Sequence, residues 1–279
     1  MAVILITGCS SGFGQLAALE FARKGDTVYA SMRNTAKAGP LEQARDGDKL
    51  SIHVVQLDVT DGDSVSKAVK QVIDAEGRID VLVNNAGIGA NGPIEETDVD
   101  EAKEIFETNF FGALRVTQTV LPQMREQKSG TIVNVSSLAG RVAPPFDGIY
   151  AASKYALEAA SEALYYEVHP FGIRVLLIEP GGFETNIGDN RRIPRRFTEG
   201  SPYVELHQRF EQAMTRLPTG GERADPQVVA EAIYQAVHDD EPKLRYLVGK
   251  DAEMIGGLRR QMDDQQFEQT MRQTLDFWD

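Results

Sequence analysis

The stretch Val3-Ile4-Leu5-Ile6-Thr7-Gly8-Cys9-Ser10-Ser11-Gly12-Phe13-Gly14 decides the fold. Val3 to Thr7 is almost wholly apolar and β-branched, the composition of a strand buried on both faces in a parallel sheet. Three glycines follow at once, and a helical pattern begins near Gly14. Glycine tolerates positive φ and lets the backbone approach a ligand, while free N–H groups at a helix start favour an anion such as a pyrophosphate. Gly8, Ser10, Ser11, Gly12, Phe13 and Gly14 are therefore candidate cofactor-binding residues. The spacing G-x-x-x-G-x-G differs from the better-known G-x-G-x-x-G, and glycines also mark ordinary turns. Their place directly after an N-terminal buried strand is what favours a dinucleotide. Cys9 within the turn reads as a small packed residue.

Outward from this turn, the same kind of run recurs. Short β-branched stretches at Thr27–Ser31, Ile52–Leu57, Val81–Val83, Thr131–Ser136, Arg174–Ile178 and Arg245–Val248 alternate with helical patterns, among them Ser64–Ala75, Glu101–Met124, Tyr150–Val168 and Pro226–His238. This alternation predicts an α/β fold: a parallel sheet of about seven strands, helices on both faces and right-handed crossovers. No linker, low-complexity tract or repeat interrupts it, so residues 1–279 read as one doubly wound domain. Two segments depart from the pattern. Residues 186–224 carry Gly188, Pro194, Gly200, Pro202, Pro218, Gly220 and Gly221 and read as a long excursion with one helix at 203–216. So long an excursion is usually functional, here a substrate-binding lid. From Asp251 the tail places Met254, Leu258 and Met262, then Phe267, Met271 and Leu275, at helical spacing within each set. That spacing predicts an amphipathic extension broken in its middle, covering either the core or an interface.

The bulk composition narrows the function classes. A formal net charge of −13 opposes a nucleic-acid footprint or an anionic membrane surface. No apolar run approaches the ~20 residues of a membrane span, and the opening residues lack the charged n-region of a secretory signal. Cys9 is the single cysteine, which excludes an intrachain disulfide and fits a reducing setting. A cytoplasmic protein is expected. His53, His169, His207 and His238 lack the paired spacing of metal ligands, so no metal is expected.

Tyr150 and Lys154 stand four residues apart at the start of a helix and so share a face. A phenol is a poor base at neutral pH, and an ammonium held nearby favours the phenolate. The residues between them, Ala151, Ala152 and Ser153, are small enough for a ligand to approach. Alone, Y-x-x-x-K says little, because both residues are common on solvated helix faces. Its setting says more. Ser136 and Ser137 end the strand from Thr131, at the carboxyl edge where open α/β sheets bind ligands. Asn84-Asn85-Ala86-Gly87 ends the preceding strand, and Asn109 lies in the helix between. Asn84 and Asn85 read first as structural polar groups.

Gly8, Gly12 and Gly14, Asn84-Asn85-Ala86-Gly87, Asn109, Ser137, Tyr150 with Lys154, and Pro180-Gly181 occur in an order and spacing that resemble the short-chain dehydrogenase/reductase family. The resemblance covers about residues 3–185 and, more loosely, the rest. Gly8-Cys9-Ser10-Ser11-Gly12-Phe13-Gly14 and Tyr29-Ala30-Ser31-Met32-Arg33 look like its 17-beta-hydroxysteroid and retinol dehydrogenase branch. The resemblance implies a Rossmann-type fold and a nicotinamide-dependent oxidoreductase acting on an alcohol or its carbonyl. It implies that Tyr150 is the general acid/base, that Ser137 steadies the substrate oxygen, and that Lys154 lowers the Tyr150 pKa and holds the nicotinamide ribose. Asn109 would anchor a water that relays protons to Lys154. Asn85, Ala86 and Gly87 would lie along the cofactor, Asp58 and Val59 would flank the adenine, and Pro180, Gly181 and Thr185 would lie along the nicotinamide. The family also pairs the helices at 150–168 and 101–124 across a two-fold axis, implying a homodimer or homotetramer.

The cofactor expectation is NADP, with NAD as the alternative. In dinucleotide folds an acid at the carboxyl end of the second strand binds the ribose 2′-hydroxyl, and an Arg there accommodates a 2′-phosphate. Asp26 precedes the strand Thr27–Ser31 and so sits at the wrong end. The carboxyl end reads Ser31-Met32-Arg33-Asn34, and Arg33 offers a charge-assisted fork. For the substrate, Pro144, Pro145, Phe146, Phe183, Ile187 and Tyr203 line an apolar pocket or merely pack, and Arg191, Arg192, Arg195 and Arg196 meet solvent or an anionic group. The competing functions are a nicotinamide-binding regulatory module, which would be expected to lack the Ser137–Tyr150–Lys154 set, and a sugar-nucleotide epimerase or dehydratase, which usually has a longer C-terminal domain.

Overall fold

The computed structural model describes residues 1–185, 191–217 and 223–278. Its centre is one seven-stranded sheet, built from β1 (Val3–Ile6), β2 (Thr27–Met32), β3 (Ile52–Gln56), β4 (Val81–Asn84), β5 (Gly130–Val135), β6 (Ile173–Pro180) and β7 (Arg245–Val248). The spatial order is β3-β2-β1-β4-β5-β6-β7 and every pairing is parallel. All seven strands lie where the sequence places them, within a residue or two. The order reverses direction between β1 and β4, so the carboxyl ends of these two strands diverge into a crevice.

Alternation along each strand sends side chains to two separate cores. On one face Ile4, Ile6 and Val28 meet Ala17, Ala18 and Phe21 of α1 (Gly12–Arg23), Leu41 of α2 (Gly39–Asp48), and Val229 and Ile233 of the later helix at Gln227–His238. On the other, Leu5, Leu82, Ile132 and Val175 meet Val65, Val69 and Val72 of α3 (Gly62–Glu76) and a long helical arm. That arm is read from sequence as one helix, Glu101–Met124. It is instead α4 (Val99–Phe106), a π-helical turn at Glu107–Gly112, and α5 (Ala113–Gln127). Apolar periodicity runs through such a one-residue insertion almost unchanged, which is why the sequence hides it. Next comes α6 (Gly148–Val168), the helix of Tyr150 and Lys154.

The excursion holds α7 (Val204–Met214), close to the helix expected there, followed by α8 (Gln227–His238). Gly188, Ile187, Pro218, Gly220 and Gly221 lie outside the described residues. The tail forms α9 (Lys250–Gln261) and α10 (Asp264–Leu275). The expected break falls at Met262-Asp263: the Asp263 carboxylate accepts from Gln266 N at 2.8 Å and Gln266 Oε1 accepts from Asp263 N at 3.2 Å, a capping box that starts a new helix. The tail covers a third core. Met254, Phe267, Met271, Leu275 and Phe277 pack with Phe146, Phe210 and Leu217, so excursion and tail stabilise each other.

Candidate active site

The turn after β1 is fastened from below by β4. Thr7 Oγ1 accepts both Asn85 N and Ala86 N at 3.0 Å, while Asn85 Nδ2 donates to Thr7 O at 2.9 Å and Gly8 O at 3.1 Å. Gly8 has φ +75° and Gly12 φ +60°, the left-handed region that glycine enters freely. A methyl group on Gly14 would collide with Asn85 Nδ2 and stand 2.6 Å from Gly8 O, so only glycine lets α1 start this close to the strand. Ser11 precedes α1 in extended conformation and makes no side-chain cap bond among the described residues. The first-turn N–H groups of α1 therefore face the crevice without a side-chain acceptor, a cradle that fits a pyrophosphate. Asn85 belongs to this turn structurally, as its residue type suggested. Its amide donors are spent on the strand end, so no ligand contact through them is available.

Four side chains meet at the carboxyl ends of β4 and β5. Lys154 is buried and donates to Val135 O at 2.8 Å, and its ammonium lies 5.8 Å from the centre of the Tyr150 ring. Ser137 caps the short turn Leu138–Gly140, accepting Ala139 N at 3.1 Å, and its hydroxyl faces Tyr150. Asn109, buried in the π turn, accepts Ile88 N at 2.8 Å and donates to Ile88 O and Ser153 Oγ, both at 3.0 Å. Ser153 Oγ in turn donates to Tyr150 O at 2.7 Å. Gly87 lies over this group: a methyl there would sit 3.4 Å from Asn109 Oδ1 and 3.8 Å from Lys154 Nζ. The extra residue of the π turn is what aims Asn109 inward, in keeping with the use of such turns at functional sites.

Burial pushes the Tyr150 phenol up to about 12; the Ser137 hydroxyl works against that shift and the Asp147 carboxylate adds to it. Burial draws the Lys154 ammonium down to about 8, against the pull of Glu158. Desolvation dominates both shifts, and the Lys154 ammonium is turned toward the Val135 carbonyl. Both donors of Asn109 are used, so it fixes the 86–88 loop against α6.

The remaining candidates fall along the same edge. β2 ends at Met32, so Arg33 is exposed at its carboxyl end, while Asp26 at the amino end is buried and accepts Ala2 N at 2.8 Å. Asp58 Oδ1 accepts Thr60 N and Thr60 Oγ1 at 3.0 and 2.8 Å, a strand-end cap, and Val59 packs beneath the π turn at Gly112. Thr185 reaches the glycine turn, its Cβ 3.7 Å from where a Gly12 methyl would be. Pro180 and Gly181 close β6, and the Asp251 carboxylate, missed in the sequence, steadies them by accepting Gly182 N at 2.6 Å.

Around Tyr150 the apolar pocket expected from sequence is largely packing. Phe183 is buried edge-on against Phe13 at 5.6 Å, Phe146 leans on Phe210 at 5.8 Å, and Tyr203 is bonded to Glu95. A cavity of about 570 Å³ nearby is lined instead by Asn91, Arg191, Ile193, His207 and Glu211. His207 Nε2 pairs with Asn91 Oδ1 at 2.8 Å, and Asn91 Nδ2 donates to Asp147 at 3.1 Å. Of the arginine cluster, Arg195 pairs with Glu101 and Arg196 with Asp98, and Arg192 N donates to Gly89 O. Residues 192–197 are thus tied to the body of the protein.

A parallel sheet with this strand order, a glycine turn and Tyr150, Lys154 and Ser137 around one crevice define an oxidoreductase class. The chain belongs to the short chain dehydrogenase family, whose model matches residues 2–195. It is 38% identical over 247 residues to the 3-ketodihydrosphingosine reductase of Bacteroides thetaiotaomicron, covering 88% of this chain and 87% of that one. It is 35% identical over 257 residues to rat estradiol 17-beta-dehydrogenase 1, covering 88% and 72%. Among solved structures it resembles a short-chain dehydrogenase from Streptomyces avermitilis (TM-score 0.81, 37% identity, 99% of this chain and 97% of that one). It also resembles a Burkholderia phymatum short-chain dehydrogenase/reductase in complex with NAD (TM-score 0.78, 25% identity, 93% and 92%). Among the described residues no helix is long and apolar enough to cross a membrane.

Proposed function

We propose that this protein is a nicotinamide-dependent oxidoreductase that interconverts a lipophilic alcohol and its carbonyl, using NADP in preference to NAD. The observation that carries the reading is the convergence of Tyr150, Ser137, Lys154 and Asn109 on one crevice, with Gly87 against them and an uncapped helix start at its far end. The bound nicotinamide supplies the hydride; everything else falls to side chains. The high pKa keeps the Tyr150 phenol protonated near neutrality, the form that donates a proton to an oxygen gaining charge. Ser137 offers a second hydroxyl to the same oxygen. Lys154 and the Gly87 loop would hold the ribose, and Thr185 with Ser11 would flank the pyrophosphate. Arg33 supports NADP, because it projects at the strand end where a 2′-phosphate lies.

A lipid-like substrate is favoured by the relatives, whose names specify a sphingoid ketone and a steroid. The decisive experiment follows consumption of NADPH and NADH with long-chain and polycyclic ketones against small polar ones. NADPH-dependent turnover highest on the lipophilic ketones is expected; turnover confined to polar ketones, or none with either cofactor, overturns the reading.

Residues 1–279 acting as one domain, a cytoplasmic setting and a homodimer or homotetramer belong to the same proposal. The dimer is supported by α6, whose Ala152, Ala159 and Ala163 are exposed beside Tyr155 and Tyr166, with Phe111 and Leu114 exposed at the π turn and the start of α5. Light scattering checks it, and a strict monomer at micromolar concentration sinks it.

A further inference from the structure

Beside the crevice runs a hydrogen-bonded chain that the reaction outlined above does not use. His207 Nε2 on α7 meets Asn91 Oδ1 at 2.8 Å, and Asn91 Nδ2 donates to Asp147 Oδ1 at 3.1 Å. Asn91 and His207 line the cavity of about 570 Å³, with Glu211 3.8 Å from His207 Nε2 and the exposed Arg191 at its edge. Asp147 stands at the N-cap position of α6, where an aspartate ordinarily accepts the first free N–H groups of its helix. Here it makes no such bond, and among the described residues its Oδ2 receives no hydrogen bond. The residue before it, Phe146, has φ +65°, a conformation that bulky side chains avoid. Its carbonyl accepts Gly92 N at 2.7 Å and its ring stands edge-on to His207 at 4.8 Å, so its surroundings impose that conformation. Strain held in this way recurs at ligand clamps, and here it accompanies a carboxylate turned away from its own helix.

Asp147 and Tyr150 are three residues apart at the start of α6, which sets them on one face with about 5–6 Å between Cβ atoms, and both are half-buried. We propose that Asp147, aimed by Asn91 and His207, determines substrate specificity: its Oδ2 accepts a hydrogen bond from a hydroxyl or ammonium group carried within about two carbons of the reacting carbonyl. The inference rests on the proton-transfer role given to Tyr150 in the proposed function, which fixes where that carbonyl lies. The substrate is then amphipathic, lipophilic along its length and donor-bearing beside the reacting carbon. Burial raises the Asp147 carboxyl above its ordinary value, against the pull of Arg191 and Asn91, so a further donor at Oδ2 is stabilising. A substrate carboxylate in the same place meets Asp147 and Glu211 as like charges, with Arg191 alone among the described lining residues to offset them.

Long-chain secondary alcohols that differ only at the carbon next to the carbinol test this: one bears a hydroxyl there, one an ammonium and one a methyl group. Each is titrated calorimetrically into the protein with NADPH present, a pairing in which no hydride can move. Wild type should bind the hydroxyl or the ammonium compound at least about tenfold tighter than the methyl compound, the scale of one hydrogen bond to a charged group. In Asp147→Asn the amide oxygen keeps the Asn91 contact and an NH2 donor replaces Oδ2. The preference should then fall to within about twofold of none. Equal binding of all three compounds by wild type, or a preference unchanged in Asp147→Asn, overturns the inference. Should Asp147→Asn fail to fold, Asn91→Ala, which releases Oδ1, takes its place: a reduced preference supports the inference and an unchanged one overturns it. Oxidation of the same alcohols with NADP tests the proposed function separately. Discrimination in binding without turnover leaves the inference standing and that reading failing, while turnover without discrimination overturns the inference alone.

Discussion

Replacing Asn85 with Ala tests whether β4 holds the cofactor turn. The substitution removes the donations from Nδ2 to Thr7 O at 2.9 Å and Gly8 O at 3.1 Å. Each such bond contributes about 1 kcal/mol net, and the Thr7 carbonyl, in a residue 1% exposed, then lacks a partner. Water can reach the Gly8 side, so a total of about 2 kcal/mol is expected rather than the sum of two full desolvation penalties. For 279 residues the unfolding entropy is roughly 0.6 kcal/mol/K, which converts this to a fall in Tm of about 3–4 °C. The larger effect is on function: a slackened turn loses its preformed cradle, and NADPH affinity should fall about tenfold or more, or about 1.4 kcal/mol. Differential scanning fluorimetry and a fluorescence titration of NADPH measure the two. Asn85→Asp should be worse than Ala, since a carboxylate cannot donate and would face two carbonyl oxygens. A Tm within about 1 °C of wild type together with unchanged NADPH affinity would refute the clamp.

Further outcomes follow from the same geometry. Arg33→Ala should weaken NADP binding far more than NAD binding, and Met32→Asp should repel the 2′-phosphate and favour NAD; equal losses for both cofactors in Arg33→Ala, by titration, would remove Arg33 from the site. Glu179 keeps its proton in the folded protein to higher pH than in the unfolded chain, so stability falls as pH rises from the ordinary carboxylate range toward neutrality. Urea unfolding between pH 5 and 8 should show a smaller fall in Glu179→Gln, and an identical slope would exclude Glu179 as its source. Phe277, 4% exposed and 5.2 Å from the Phe210 ring, anchors the tail: Phe277→Ala should cost about 3 kcal/mol and raise the substrate KM through Phe146, whereas a Tm unchanged in calorimetry would show that the tail packs independently.

The sheet was legible because both of its signals are local: apolar runs of strand length, and turn residues between them. Tyr150, Lys154 and Ser137 were legible through order and spacing. What escaped the sequence depends on distant partners. The π turn is invisible because its inserted residue leaves the apolar stripe of α4 and α5 intact, and only the backbone conformation at Glu107–Gly112 reveals it. The inward aim of Asp251, and the meeting of Glu158, Glu179 and Arg245, join residues 69 and 87 apart in sequence for two of the contacts. Whether Phe183 and Tyr203 line a pocket or pack was left open by the sequence for the same reason, since aromatic character suits both and only the partners, Phe13 and Glu95, decide. The direction of the Tyr150 shift could not be read from Lys154 alone, since spacing shows the charge and not the desolvation that opposes it.

The central claim is that Tyr150 transfers the proton, and Tyr150→Phe tests it most directly. The change deletes one hydroxyl from a ring that packs as before, so Tm and NADPH affinity should match wild type. Single-turnover reduction of the best ketone, with saturating NADPH, should slow by at least ~10²-fold, the low end for an acid–base group. A fall of that size with binding and folding intact is the predicted result. Near-normal turnover in Tyr150→Phe would contradict the account, whatever the other residues of the crevice do.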